Sequence, residues 1–135
     1  MSTFHLSAMP LYLGIHLLFS IFLARQVVHQ RHHAKIGIGT GEDPNSPLAR
    51  AVRVHGNHAE YTPLVMVLLL VMELAGAPLW MLHGLGIIYT LARLAHWQGL
   101  SGNSGRSKGR FYGTACTWLC YIAGGIGCVY IFFTA

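Results

Sequence analysis

The sequence predicts an all-α integral membrane protein, a four-transmembrane-helix up-down bundle of one domain spanning residues 1–135. Three observations carry that prediction. Hydrophobic residues make up 53% of the chain and charged residues 10%, with a mean hydropathy of +0.48, a balance found in membrane rather than soluble proteins. Four apolar stretches, about 6–24, 47–74, 78–98 and 111–133, are each long enough at ~1.5 Å per residue to cross a ~30 Å hydrocarbon core. All nine Lys and Arg fall within residues 25–53 or 93–110. Basic residues confined to two loops are a topology signal: both loops are expected in the cytoplasm and both termini outside. The net charge of +5 therefore implies no nucleic-acid partner.

The first span, 6–24, is interrupted by His16, expected to face the bundle with one partner. It lacks a basic leader and is long for a removable signal. The helix continues to Lys35 with His29 and His33 at i and i+4. That spacing could chelate a metal, but no carboxylate or thiolate stands nearby, so a basic, anion-facing surface is the reading and no metal site is assigned. Residues 36–45 hold Gly37, Gly39, Gly41 and Pro44, which is loop chemistry without the Lys-Ser/Thr of a phosphate loop. Ser46 and Pro47 supply an N-cap and an N1 proline for the second helix, which runs to Leu74 with Pro63 expected to kink it.

Residues 75–78 form a tight turn, where Glu73 is the sole charged residue and His83 is its candidate partner. The third helix ends near Gln98, followed by a Gly/Ser-rich loop over 100–109. In the fourth helix, Ala123, Gly124, Gly127 and Cys128 give small-xxx-small pairs suited to close packing. Cys116, Cys120 and Cys128 lack zinc spacing, and the helical neighbours Cys116 and Cys120 read as packing residues.

The candidate site begins at Arg53-Val-His-Gly-Asn-His-Ala-Glu-Tyr61. At ~100° per residue, Arg53, Asn57 and Glu60 share one helix face, Tyr61 flanks it, and His55, His58 and Thr62 lie opposite. Ionisable groups at membrane depth mark functional sites by default. A structural Arg53–Glu60 pair pinning neighbouring helices is the competing explanation. Two polar faces on one helix also call for two sets of neighbours, which a closed cyclic assembly provides. Arg93 lies at similar depth to Arg53, and Arg31, Arg106 and Arg110 can converge on the same mouth. Such a site suits a small ligand with carboxylates for Arg, an amine for Glu and an amide for Asn. No Ser-His-Asp set, HExxH or paired carboxylate supports hydrolysis. What fits is chemistry in which the ligand brings its own nucleophile and nearby positive charge lowers that group's pKa.

Arg53-x-His-Gly-Asn57-x-x-Glu60-Tyr61-x-Pro63, with Ala92-Arg93-Leu-x-His-x-x-Gly99, resembles the MAPEG family (membrane-associated proteins in eicosanoid and glutathione metabolism), most closely its small bacterial members. The resemblance implies a homotrimer with glutathione bound between neighbouring subunits near the cytoplasmic side of a bacterial inner membrane. It implies that Arg53, Asn57, Glu60 and Tyr61 bind glutathione, with Arg31 and His55 as further contacts; Arg93 and His96 complete the candidate set. Catalytic eukaryotic members carry tyrosines where this chain has His96 and Leu100. Their thiolate-activating arginine aligns with Ser107, which leaves Arg106 or Arg110 to stabilise the thiolate. The function implied is a glutathione-dependent transferase or peroxidase acting on a lipophilic electrophile from the bilayer, with membrane lipid and other copies of the chain as partners. The alternative is a non-catalytic module using the polar cluster for assembly or anionic-lipid binding. A small transporter is disfavoured, because no repeat or discontinuous helix pair is present.

Overall fold

The computed structural model describes residues 6–102 and 105–134. Residues 1–5, Asn103, Ser104 and Ala135, on which part of the expected topology rests, lie outside the described residues. Four helices run up and down: α1 (Met9–Ala34), α2 (Pro47–Leu74), α3 (Leu79–Ser101) and α4 (Lys108–Thr134). At ~1.5 Å per residue each exceeds the ~30 Å apolar core of a bilayer. Helices α1 and α4 contain stretches long and apolar enough to cross a membrane on composition alone; α2 and α3, which carry the polar side chains, fall below that measure.

The ends of the helices follow local chemistry. Ser46 accepts a 3.1 Å hydrogen bond from the Ala49 N–H, and Pro47 opens α2 as expected. Lys35, in the left-handed conformation (φ 55°), closes α1. The third helix runs past Gln98 to Ser101, and the fourth starts at Lys108, earlier than expected. Ser107 explains the second shift. Its hydroxyl accepts from the Arg110 N–H at 3.2 Å and donates to the Gly99 carbonyl at 2.8 Å, so one side chain caps α4 and ties it to α3.

Glu73 makes no direct ion-pair contact with His83, which acts on it only electrostatically. Its carboxylate accepts from the backbone N–H groups of Ser7, Ala8 and Met9, the last two at 2.7 Å. Ala8 has no capping side chain of its own, so the end of α2 supplies the acceptors and the negative charge that the start of α1 lacks. His83 instead places its Nδ1 2.9 Å from the Tyr12 hydroxyl.

The interior is layered. One apolar cluster, with Tyr12, Val65, Leu69, Met72, Leu82 and Tyr89, fills the end near the 75–78 turn. A smaller one, Leu23, Val54 and Leu100 braced by Phe19 and Trp97, fills the other end. A polar layer separates them. Thr90 donates to the Gly86 carbonyl at 2.7 Å, so toward His16 Nε2, at 3.2 Å, it acts as acceptor. His58 Nε2 faces the His16 carbonyl at 3.4 Å, which assigns its proton there and leaves Nδ1 to accept from Thr62 at 3.2 Å. Tyr89 then donates to Thr62 at 2.9 Å. His16 thus faces the bundle. Outside, Leu18, Leu64, Leu91 and Ile126 are each at least 60% exposed while Arg93 is 2% exposed, the inside-out distribution of a bundle that faces lipid.

The small residues of α4 act at two levels. A side chain at Gly124 would collide with Leu68 of α2, in line with the expected close contact, whereas Ala123 is exposed. The tighter approach is near the other end of α4. A Cβ at Gly113 would lie 2.6 Å from the Ala92 carbonyl oxygen and 2.8 Å from the His96 nitrogen, both backbone atoms. Gly113→Ala should therefore cost about 1–3 kcal/mol through overpacking. Gly125→Ala, with nothing within 4 Å of the new Cβ, should be neutral or stabilise by up to ~1 kcal/mol. Unfolding of the two variants in mild detergent checks this, and equal midpoints would contradict the packing.

Candidate functional site

Helix α2, the 35–46 loop, the end of α3 and the start of α4 enclose an open groove of about 520 Å³, a size suited to a small ligand. The helical repeat aims Arg53, Asn57 and Glu60 into it from α2, and Leu100 and Arg110 face them from α3 and α4. Arg53 and Glu60 are exposed and make no hydrogen bond or ion pair among the described residues. Within one chain Arg53 and Glu60 do not pair with each other.

Arg93 does not line the groove; it stands behind its wall. The side chain is buried, its Nη2 donates to Asn57 Oδ1 at 2.9 Å, and its Cζ lies 5.9 Å from the centre of the Tyr61 ring, within cation–π range. Its Nε is buried without a partner, and no carboxylate pairs with it among the described residues. With Oδ1 engaged, Asn57 keeps its amide N–H groups free to donate elsewhere. Tyr61 is fixed from α4: the Tyr121 hydroxyl donates to its carbonyl at 2.8 Å, and the Trp118 indole donates to its hydroxyl at 3.3 Å.

The remaining candidates divide. Arg110 lines the groove, while Arg106 is exposed on a separate hollow along the outer side of α4, which Arg110 also borders. His96 is buried against the Gly113 backbone, behind the groove. His55 is half-buried on the far flank of α2 and does not line the groove. The Arg31 guanidinium donates to the carbonyls of Gly37 at 2.9 Å and Gly39 at 3.1 Å, so within one chain it secures the loop and is not brought to the groove. Arg50 also lines the groove and went unassigned in the sequence reading. It lies three residues before Arg53, at ~60° on the same helical wheel, so the periodicity held the signal. Arg50 donates to the Asn45 carbonyl at 2.8 Å and Arg110 to the Gly105 carbonyl at 3.2 Å, yet both line the groove, and three arginines against one glutamate give it a net positive charge that suits an anion carrying one cationic group. Among the described residues no three His, Cys, Asp or Glu side chains cluster as a metal site.

A sequence model of the MAPEG family matches residues 9–130. Over 92 residues, 68% of this chain and 67% of the relative, the chain is 39% identical to "Inner membrane protein YecN" of Escherichia coli K12. The same figures hold for YecN of Escherichia coli O6:H1 strain CFT073.

The contact between Arg93 and Asn57 has a measurable weight. Asn57→Leu removes an acceptor from a buried cation and should cost about 1.5–3 kcal/mol, the usual range for a hydrogen bond to a charged group. Arg93→Met on the same background should recover most of that loss, because no buried charge then remains. A double-mutant cycle of unfolding free energies reads the coupling, and strict additivity would show that the two side chains do not depend on each other.

Proposed function

The chain belongs to the MAPEG family, and from that membership and the open groove we propose that it is a glutathione-dependent membrane transferase or peroxidase acting on lipophilic electrophiles. The family includes glutathione transferases and peroxidases. The observation that carries the reading is that Arg53 and Glu60 face one groove with no partner among the described residues of one chain. Glutathione supplies what they lack: a carboxylate for Arg53, an ammonium for Glu60, and an amide carbonyl for the free N–H groups of Asn57. Arg110 is the cation placed to hold the thiolate. In conjugation the S–H bond is lost and a C–S bond forms, with the electrophile's leaving group departing or, on an activated double bond, a proton returning to the neighbouring carbon; in the peroxidase variant two glutathiones become one disulfide as a hydroperoxide is reduced to an alcohol and water. In the same proposal the chain works as a homotrimer in a bacterial inner membrane, with the 35–46 and 102–107 loops cytoplasmic.

A second reading, a module that binds glutathione or another anion without turnover, is favoured by Ser107. The hydroxyl at the position aligned with the family's activating arginine is spent on capping α4, and no tyrosine stands at His96 or Leu100.

Two measurements test the proposal. A ligand that binds only the folded state raises stability by about 2.7 kcal/mol at a hundredfold excess over Kd. Glutathione should therefore raise the wild-type midpoint of thermal unfolding. Arg53→Ala, at an exposed side chain without partners, should fold within about 0.5 kcal/mol of wild type and lose the response. A wild-type midpoint indifferent to millimolar glutathione would defeat the binding claim. Arg110→Gln should retain glutathione-dependent stabilisation but lose conjugation of a hydrophobic electrophile by about 100-fold, the usual weight of one charge-stabilising donor. Absence of turnover in a wild type that binds glutathione would select the non-catalytic reading.

A further inference from the structure

A second groove, of about 760 Å³, opens between the outer side of α1 and the start of α2. Along α1 its lining changes from Leu18, Ile21 and Phe22, all exposed, to Arg25 and then His29. Residues spaced by three and four form one stripe on a helix, so this is a continuous track. Leu18 and Arg25 are about 10 Å apart along the axis, which takes the track from hydrocarbon depth to the headgroup level. Arg50 of α2 faces the basic end. The floor is fixed by α3: Phe22 packs edge-on against Trp97, ring centres 5.3 Å apart, and the Trp97 indole donates to Gln26 at 3.4 Å.

No Asp or Glu lines the groove, so no carboxylate there offsets its basic end. Arg25 has no hydrogen bond or ion pair among the described residues; Arg50 donates through Nη1 to the Asn45 carbonyl at 2.8 Å, and its Nε is buried without a partner. Basic pockets between transmembrane helices at a membrane surface suit lipid phosphates. We propose that this groove binds one anionic phospholipid, its phosphate between Arg25 and Arg50 and an acyl chain along Leu18, Ile21 and Phe22. The exposed apolar track selects a lipid over a free phosphate, and the absence of any lining carboxylate selects an anionic over a zwitterionic headgroup. The site is separate from the groove that holds Arg53 and Glu60, with Arg50 on the ridge between them.

Native mass spectrometry of wild-type protein in mild detergent, supplied separately with phosphatidylglycerol, phosphatidylcholine and inorganic phosphate, tests this. Retained phosphatidylglycerol is expected, with neither phosphatidylcholine nor phosphate held comparably. Arg25→Glu should weaken phosphatidylglycerol binding by about thirtyfold, the factor for ~2 kcal/mol when ~1 kcal/mol of attraction becomes equal repulsion. Arg25→Gln should weaken it by about fivefold, and both variants should keep the wild-type response to glutathione. Equal retention of phosphatidylcholine, equal retention of phosphate, or undiminished phosphatidylglycerol binding in a folded Arg25→Glu would each overturn the proposal. So would a change in oligomeric state in Arg25→Glu with lipid binding intact, because the face would then be an interface between copies.

Discussion

A guanidinium buried between helices needs acceptors close at hand, and Arg93 obtains them from α2: the Asn57 carbonyl oxygen and the face of Tyr61. Much of the site follows from that requirement. Because both partners lie on one stretch of α2, the contact fixes the rotation of α2 against α3. That rotation in turn aims Arg53 and Glu60 into the groove. It also orients the Asn57 amide, whose oxygen is spoken for and whose N–H groups are not. Tyr61 is held from its other side by Trp118 and Tyr121 of α4, so three helices converge on the wall behind the ligand groove. The charge of Arg93 has no carboxylate partner among the described residues, and its field adds to that of Arg50, Arg53 and Arg110 in favouring an anion in front of the wall.

The contrast between Arg93 and Arg53 separates structure from function in this bundle. Arg93 is buried and bonded, and its loss should register in folding. Arg53 is exposed and makes no hydrogen bond or ion pair among the described residues. Glu60 is in the same position as Arg53. Two opposite charges that share a groove without meeting are suited to a ligand that carries both signs. Ser107 and Arg110 differ in reach: the serine serves helix geometry alone, while the arginine donates to the Gly105 carbonyl and also lines the groove.

The second helix, expected over about 47–74, runs Pro47–Leu74, because Ser46-Pro47 starts it and the turn at 75–78 stops it. The junction of α3 and α4 was less legible. Its limits are set by the Ser107–Gly99 bond and by backbone contact at Gly113, which are tertiary facts with no trace in hydropathy. Glu73 shows the same limit, since its partners are three backbone N–H groups more than sixty residues away in sequence. In the site, helical periodicity found Arg53, Asn57 and Glu60 because a wheel reports direction. It could not report that Arg93 and His96 are buried behind the groove, or that Arg31 is drawn to its own loop carbonyls. Arg50 was readable on the same wheel and was passed over because it stands outside the motif.

Equilibrium dialysis of labelled glutathione against detergent-purified protein tests the central claim most directly, that Arg53 and Glu60 face the groove to hold a zwitterionic thiol ligand. The account predicts saturable binding that weakens when the ligand's amino group is acetylated, with Glu60→Gln insensitive to that change because the carboxylate it would lose is already gone. Saturable binding that ignores acetylation in the wild type, or no saturable binding at all, would contradict it.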